Sequence, residues 1–573
     1  MTKTKNGFFS GALVLMLCSI VAKIISAVYK IPLLKTLQSD GLGKYQMVIS
    51  VYALFLVISS SGMVVTLSKL IARESNYNNK YNQKKYFFAG ITISLILSSL
   101  LSLILISISP TLSRYQSFSN LKFSFLAIAP SIIFSSLIAV FRGYFLGKRK
   151  MLFSGSVQVI EAALKLIFSL FLSAKFAING SLGAVFGAVL GITISEFLSF
   201  IFFFCLFIFL KKRNTKKYKN IQIKKNKNLT KFKKIYKIKK TNFNNKKTNY
   251  IKKLSNNDNF LTLKSIKKLH SKNRYKSFLQ AIKDIFQISF FVTLQACVLP
   301  FIGAIDGLIV VPLLLKTGIS QSIAYSLFGI EDGVVSAILS MPTIIASSIT
   351  FSLIPNIKAQ SNSEQLIKNG LKFVWLVSIF CATIFIFFSR DITQFLYGGG
   401  LTSKTINELA ISSDMLRING FNIIYISLLG LTSGILQGLD HSKEPVKNLF
   451  IATVFRFVIL LLCLTNGAVN IYGLAIADMA FYSLAMILNL KKIKEISNIN
   501  FNISQMFFLP SSALVVMILS MLLTKLVLVN ILSFRLVTLS VMIIGGIIYL
   551  VLLAITKVLN VKEVAFLKKK QQT

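Results

Sequence analysis

The sequence predicts an all-α polytopic membrane protein of about fourteen transmembrane helices, two pseudo-symmetric six-helix lobes followed by two extra C-terminal helices. Three observations carry that prediction. Hydrophobic residues make up 54% of the 573-residue chain and its mean hydropathy is +0.70, far more apolar surface than a soluble core needs. The apolar residues fall in blocks of about twenty or more, the length at which a helix rising 1.5 Å per residue crosses hydrocarbon. The two halves of the chain also repeat one another.

The first block runs from Gly7 to Leu34, with no Ala-x-Ala-like cleavage site, so it reads as a span and not a removable signal. Ser19, Lys23, Ser26 and Lys30 follow the spacing i, i+4, i+7, i+11, which places all four on one helical face. A lysine near the bilayer centre costs about 2.5 to 3.5 kcal/mol. A pair on one face therefore needs a wet cavity or an anionic partner, and the stripe reads as one wall of a cationic cavity. The alternative is that Lys30 snorkels to the interface beside Pro32 while Lys23 pairs with a carboxylate elsewhere.

The remaining blocks place spans near 45–72, 86–109, 121–146, 153–175 and 183–210, then near 285–315, 321–355, 370–389, 409–438, 447–465, 470–490, 507–528 and 534–558. With the N-terminus inside, most Lys and Arg fall in loops on the cytoplasmic side. Lys35, Lys44, Arg114, Lys175, Lys316, Arg390 and Lys404 face outward. That asymmetry predicts cytoplasmic N- and C-termini in a bacterial plasma membrane.

Residues 1–210 then form a first lobe, 285–490 a second, and 491–573 two further spans with a basic tail. Between the lobes lies a Lys- and Asn-rich segment, Lys211 to Asp284, whose acids are Asp258 and Asp284 and which holds much of the chain's net charge of +47. Its low complexity predicts a largely disordered cytoplasmic linker that is drawn to anionic lipids. A tether between membrane lobes is not expected to bind nucleic acid.

Several chemistries are excluded. Cys18, Cys205, Cys297, Cys381 and Cys463 all lie in apolar blocks without paired spacing, and His270 and His441 are the chain's histidines. No disulfide framework or metal site follows. Gly41-Leu-Gly-Lys44 is too short to cradle a phosphate. The expectation is a protein with no catalytic residues, no metal and no cofactor, driven by an ion or by membrane potential.

The repeat is local and specific. Phe141-Arg-Gly-Tyr-Phe-Leu-Gly147 answers Thr432-Ser-Gly-Ile-Leu-Gln-Gly438, and the same offset carries Lys165 onto Arg456. Ile31-Pro-Leu-Leu-Lys-Thr36 answers Val311-Pro-Leu-Leu-Leu-Lys-Thr317, with Tyr45 opposite Tyr325. Each half holds six spans, an even number, so both enter from the same side and their axis lies along the membrane normal.

Charged residues within spans mark the remaining candidates. Glu161 stands one turn before Lys165 and can neutralise it. Arg456 lacks such a neighbour on its own helix, although Asp478 in the next span can reach it. In the seventh span Pro300, Gly303 and Pro312 surround Asp306, a kinked helix suited to a rocking gate. Across the repeat Asp306 aligns with Ser26, which predicts that it faces Lys23 or Lys30. Glu331 and Asp332 form a second acidic site near the outer mouth or cap a helix end. Arg142, Glu196 and Arg417 are expected to pair within their lobes.

These residues resemble a family: the polysaccharide-biosynthesis flippases of the stage V sporulation protein B type. They are related to the lipid II flippases within the multidrug, oligosaccharidyl-lipid and polysaccharide exporter superfamily. The resemblance is most specific in Tyr29-Lys-Ile-Pro-Leu33, Gly41-Leu-Gly-Lys-Tyr-Gln-Met47, Leu67-Ser-Lys-Leu-Ile-Ala72, Phe141-Arg-Gly-Tyr-Phe-Leu-Gly147 and Ile305-Asp306. It departs at Leu146, where the family usually has glutamine, at Lys165, where it has arginine, and in the long basic loop.

What the resemblance implies is a monomeric transporter that flips an undecaprenyl-pyrophosphate-linked sugar outward by alternating access. Lys23, Lys30, Ser26 and Asp306 would line the substrate site, with Arg142, Glu161, Lys165, Glu331, Asp332 and Arg456 as secondary cavity residues or ion pairs. The peptidoglycan precursor lipid II is the first substrate expected. Another lipid-linked polysaccharide unit and a cation-coupled drug antiporter are the alternatives, and a scaffold acting through the basic loop is a third.

Overall fold

The computed structural model describes residues 2–77, 79–115, 120–239, 276–357, 363–401, 407–467, 469–497, 509–556 and 558. Among them, twelve segments are long and apolar enough to cross a membrane. Two of these, Val14–Ser75 and Met151–Phe209, each contain two helices, which brings the crossings to the expected fourteen. The chain is a multi-pass membrane protein.

The first lobe comprises α1 (Thr2–Val28), α2 (Lys30–Asn76), α3 (Lys80–Tyr115), α4 (Leu121–Gly147), α5 (Met151–Phe176) and α6 (Gly180–Lys239). Helical hydrogen bonding runs on through Tyr29, and the chain breaks instead at Gln38, where φ is 57° and ψ 176°. The Tyr29 and Tyr45 hydroxyls then meet at 2.9 Å, so the chain has folded back across that break. A turn at Ala177–Asn179, followed by Gly180 at φ +76°, reverses the chain between α5 and α6.

The second lobe comprises α7 (Phe278–Lys316), α8 (Gln321–Phe328), a π-helical segment (Gly329–Val335), α9 (Ser336–Ile357), α10 (Ser363–Phe387), the short α11 (Ser389–Tyr397), α12 (Glu408–Gly438), α13 (Lys443–Leu464) and α14 (Tyr472–Ser497). Two final helices, α15 (Leu509–Leu528) and α16 (Phe534–Ile555), pack on each other and against α10 and α11. Lys525 on α15 donates to both carboxylate oxygens of Asp391 on α11, at 2.9 and 2.6 Å, and clasps this appendage to the lobe.

Packing repeats the sequence symmetry. In the first lobe α1 packs on α5, α2 on α3 and α4, α4 on α3 and α6, and α5 on α6. In the second, α7 packs on α13, α9 on α10 and α12, α12 on α10 and α14, and α13 on α14. The matched glycines lie at such contacts. A Cβ on Gly143 or Gly147 would come within 3.0 Å of the α2 backbone carbonyls, and Gly434 and Gly438 are buried on α12.

The linker differs from its expected outline. α6 continues to Lys239, into the segment read as disordered, and Ser277 closes the linker by capping α7, its backbone N–H bonded to the Gln280 side chain at 3.0 Å. Residues 240–275 lie outside the described residues.

The lobes meet chiefly where α2 runs along α7, α8 and the π segment. At the linker end of this seam, Tyr86 on α3 donates to Asp284 on α7 at 2.5 Å and accepts from Arg73 at 3.1 Å. Lys276 also donates to Asp284, while Lys85 donates to the Lys276 carbonyl at 2.7 Å and Asn82 accepts its N–H at 3.2 Å.

Burial alone would raise the Asp284 pKa, but hydrogen bonds from Lys276 and Tyr86 outweigh it and hold the carboxyl below its ordinary value. Burial works against the Lys276 charge too, and the bonds to Asp284 and Tyr86 overcome it to raise that pKa. The Asp284 contribution is therefore present above the ordinary carboxylate range and lost as pH falls through its depressed value. The Lys276 contribution is present below the ordinary lysine range and lost as pH rises through its raised value. The latch holds across neutral pH. Asp284→Asn is expected to loosen this end of the seam, read as faster thiol labelling of a Ser289→Cys side chain beside Gly62. Unchanged labelling would show that the latch carries no closing force.

Candidate functional site

A cavity of about 330 Å³ opens inside the second lobe, and its lining includes Asp306, Glu331, Asp332, Asn419 and Asp478. Four carboxylates in one cavity of a membrane lobe demand neutralisation, because isolated buried charges are costly. Local sequence explains how they converge. α7 carries Asp306 between its two internal prolines, Pro300 and Pro312. The π segment, a distortion frequent at functional sites, turns Glu331 and Asp332 toward α12 and α14.

One arginine supplies much of the neutralisation. Arg456 on α13 is 1% exposed and grips Asp306 with both terminal nitrogens, at 2.8 and 2.7 Å. Its Nε donates to Asp478 Oδ1 at 2.7 Å. The planar guanidinium offers a bidentate fork to one carboxylate and a further donor to the second, a fixed geometry that an ammonium lacks. Glu331 Oε1 accepts from Asn419 at 2.7 Å, and its Oε2 is buried without a hydrogen-bond partner among the described residues. Also among the described residues, no three His, Cys, Asp or Glu side chains stand close enough to hold a metal.

The first lobe reaches this site from across the seam. Lys30 Nζ donates to the Asp332 backbone carbonyl at 3.3 Å, and Gln46 Nε2 donates to the same oxygen at 2.8 Å. Gly329 and Gly333 permit this approach, since a Cβ on either would lie 2.4 Å from α2 atoms.

Several sequence expectations are corrected. Asp306 pairs with Arg456, not with Lys23 or Lys30, because α13 packs on α7 within the same lobe and offers a bidentate partner. Glu331 and Asp332 are not a separate site, since they line the cavity that Asp306 lines. Lys165 pairs with Glu196 on α6, at 3.6 Å, and not with Glu161 on its own helix. Lys23 and Ser26 are exposed on α1 and do not line the acidic cavity. The Ser26 hydroxyl donates to the Ala22 carbonyl of its own helix at 2.9 Å.

Arg142 is half-buried on α4. The expected pairing of Arg456 with Asp478 is present. Asn419, absent from the sequence candidates, carries no charge to mark it, and its partnership with Glu331 arises only when α12 packs against the π segment.

The paired helical lobes define the class by architecture alone: the chain has a fold like that of the MurJ and MATE structures. A structure titled "Lipid II flippase MurJ, inward closed conformation" superposes with a TM-score of 0.67 at 14% identity, covering 95% of this chain and 98% of that one. A structure described as the inward-facing conformation of a multidrug resistance MATE family transporter of the MOP superfamily gives 0.55, also at 14% identity, over 84% of this chain and 96% of that one.

By sequence, residues 8–232 match the family model described as "Polysaccharide biosynthesis protein". The stage V sporulation protein B of Bacillus subtilis (strain 168) is 20% identical over 517 residues, 87% of this chain and 86% of that protein. The chain is thus a multi-pass membrane protein similar in sequence to stage V sporulation protein B and in fold to the MurJ structure.

Proposed function

We propose that this protein moves a prenyl-pyrophosphate-linked sugar from the inner to the outer leaflet of a bacterial plasma membrane, with both termini cytoplasmic. The peptidoglycan precursor lipid II is the first substrate and another lipid-linked polysaccharide unit the second. The observation that carries the proposal is the position of Lys30. Its ammonium bridges the lobe seam to a carbonyl at the rim of an acidic cavity, so an anionic head group that captures Lys30 also loosens the contact between lobes.

Lys23 lies two helical turns before Lys30 on the same face, so the pair forms an anion clamp of point charges that can also let go. A head group with about two negative charges gains roughly 4 to 5 kcal/mol on leaving a cell held about 100 mV negative inside. Potential alone then biases export. The chain works as a monomer, and its basic linker rests on anionic lipids.

The test is a vesicle assay of labelled lipid II made accessible to an outside enzyme. Lys23→Ala and Lys30→Ala are each expected to cut the rate about tenfold or more, the kinetic equivalent of losing about 1.4 kcal/mol of transition-state stabilisation. Wild-type rates in both variants would refute the clamp. A cation-coupled drug antiporter is the second reading, favoured by the four carboxylates of the cavity, which supply the acid such a cycle needs. Ethidium efflux driven by a proton or sodium gradient in the same vesicles, without lipid II transport, would put it first.

A further inference from the structure

The first lobe buries a second ionisable cluster, separate from the acidic cavity. Glu196 on α6 is 2% exposed. Its Oε1 lies 3.6 Å from Lys165 Nζ on α5, and its Oε2 is buried with no hydrogen-bond partner among the described residues. Two further buried oxygens make no well-formed hydrogen bond among the described residues, the Tyr52 hydroxyl of α2 and the Ser135 hydroxyl of α4. Ser135 lies within hydrogen-bonding range of both Glu196 and Tyr52, Ser131 within range of Tyr52, and Tyr52 feels the Glu196 charge. α2, α4 and α5 are the long helices packed on α6. The other titratable groups they turn toward this pair are Tyr29, Arg142 and Glu161.

A buried carboxylate oxygen and two hydroxyls nearby, all without a well-formed hydrogen bond, are unusual, since buried polar groups are nearly always bonded. The chemistry of these three gives the arrangement a purpose. A hydroxyl both donates and accepts. When Glu196 is charged, the Ser135 hydroxyl can turn to donate to it, with the Tyr52 hydroxyl donating to Ser135 in turn. When Glu196 is protonated, its new O–H finds an acceptor in the same hydroxyls. Either protonation state can therefore be satisfied with small rotations. A metal cation fits less well, because it would stand against the Lys165 ammonium.

We propose that Glu196 is a proton-binding site and that its protonation releases Lys165 to an anionic ligand. The proton joins Oε2, the carboxyl becomes neutral, and the ammonium stays charged with its counter-ion gone. Lys165 is 28% exposed, so it is already within reach of a ligand on α5. Glu161, one turn away, lies within electrostatic range of the ammonium without pairing with it. Proton and anion then bind together, and affinity for a pyrophosphate rises as pH falls through the Glu196 titration. The second half of this proposal rests on the function proposed above, while the proton site does not.

The test separates the two. Infrared difference spectra of the full chain in nanodiscs, recorded against pH, are expected to show a carboxylic-acid C=O band that titrates in wild type and Glu161→Gln and is missing in Glu196→Gln. Persistence of every titrating band in Glu196→Gln overturns the site. If Glu196→Gln does not fold, Tyr52→Phe serves. It must shift the band and its titration midpoint, and an unchanged band overturns the site equally.

Binding of undecaprenyl pyrophosphate is expected to tighten about tenfold per pH unit through the titration, the limit for one linked proton, and to become independent of pH in Glu196→Gln. A Glu196 band accompanied by binding that ignores pH overturns the release of Lys165. No binding at any pH, with the band intact, counts against the transport reading and leaves the proton site standing.

Discussion

Replacing Arg456 with glutamine is expected to be the most destabilising single change in the second lobe, by about 3 to 5 kcal/mol, the cost of breaking a buried ion pair by removing one partner. Arg456 is 1% exposed, and both Asp306 and Asp478 depend on it. Without it, the two carboxylates that lie within 2.8 Å of the guanidinium lose their shared counter-charge. The damage should be cooperative, because α7, α13 and α14 are all tied through this one side chain. Arg456→Lys keeps the charge but loses the planar fork that holds Asp306 and Asp478 together, and is expected to fall between wild type and glutamine. Asp306→Asn in the Arg456→Gln background should recover part of the loss, since the orphaned charge is the main penalty. Thermal unfolding of the purified variants in detergent decides the matter. A melting temperature unchanged in Arg456→Gln would mean that water reaches the triad freely and the pair carries little.

How much of this was legible beforehand depends on the range of the interaction. The spans follow from apolar block length, and the lobes from Gly143 and Gly147 matching Gly434 and Gly438, because those signals are local or repeated. The charged residues were also visible, since any charge in an apolar block stands out. Their partners were not. Local spacing favours Glu161 for Lys165 at i, i+4, yet the packing of α5 on α6 brings up Glu196 from 31 positions further along.

Asp306 looked like a counter-charge for the first span because the repeat aligns it with Ser26. Alignment across a repeat gives equivalent places in two lobes, however, and equivalent places need not touch. Lys23 and Lys30 led to the expectation of a cationic cavity, whereas the cavity in the second lobe is acidic, and Glu331 and Asp332 reach it from a π segment whose altered register no helical periodicity would show. The short α11 was hidden at the end of a span, where Arg390 and Asp391 read as its boundary.

Gly43→Ala is expected to pry the lobes apart at the end of the seam opposite the Tyr86–Asp284 latch. A Cβ on Gly43 would lie 2.0 Å from the Tyr325 carbonyl oxygen and 2.7 Å from its carbonyl carbon. Those are backbone atoms of α8, and a helix backbone cannot rotate away as a side chain can. Gly329 makes the reciprocal contact, its own Cβ position 2.4 Å from the Ser39 carbonyl. Relief therefore requires α2 and α8 to separate by about 1 Å or more, which also pulls on the Lys30 and Gln46 contacts to Asp332.

On the proposed function, a two-state transport cycle passes through the closed seam once per turnover. A penalty of about 1.4 kcal/mol on that state alone shifts the population about tenfold and slows turnover accordingly. Two measurements check it together: transport in vesicles, expected to fall about tenfold or more, and thiol labelling of Ser326→Cys on α8, expected to rise. Gly430→Ala is the control, because a Cβ there meets nothing within 4 Å. If Gly43→Ala transports and labels as wild type does, the close approach of α2 to α8 is not a state the working protein must visit, and the seam at this end is not a gate.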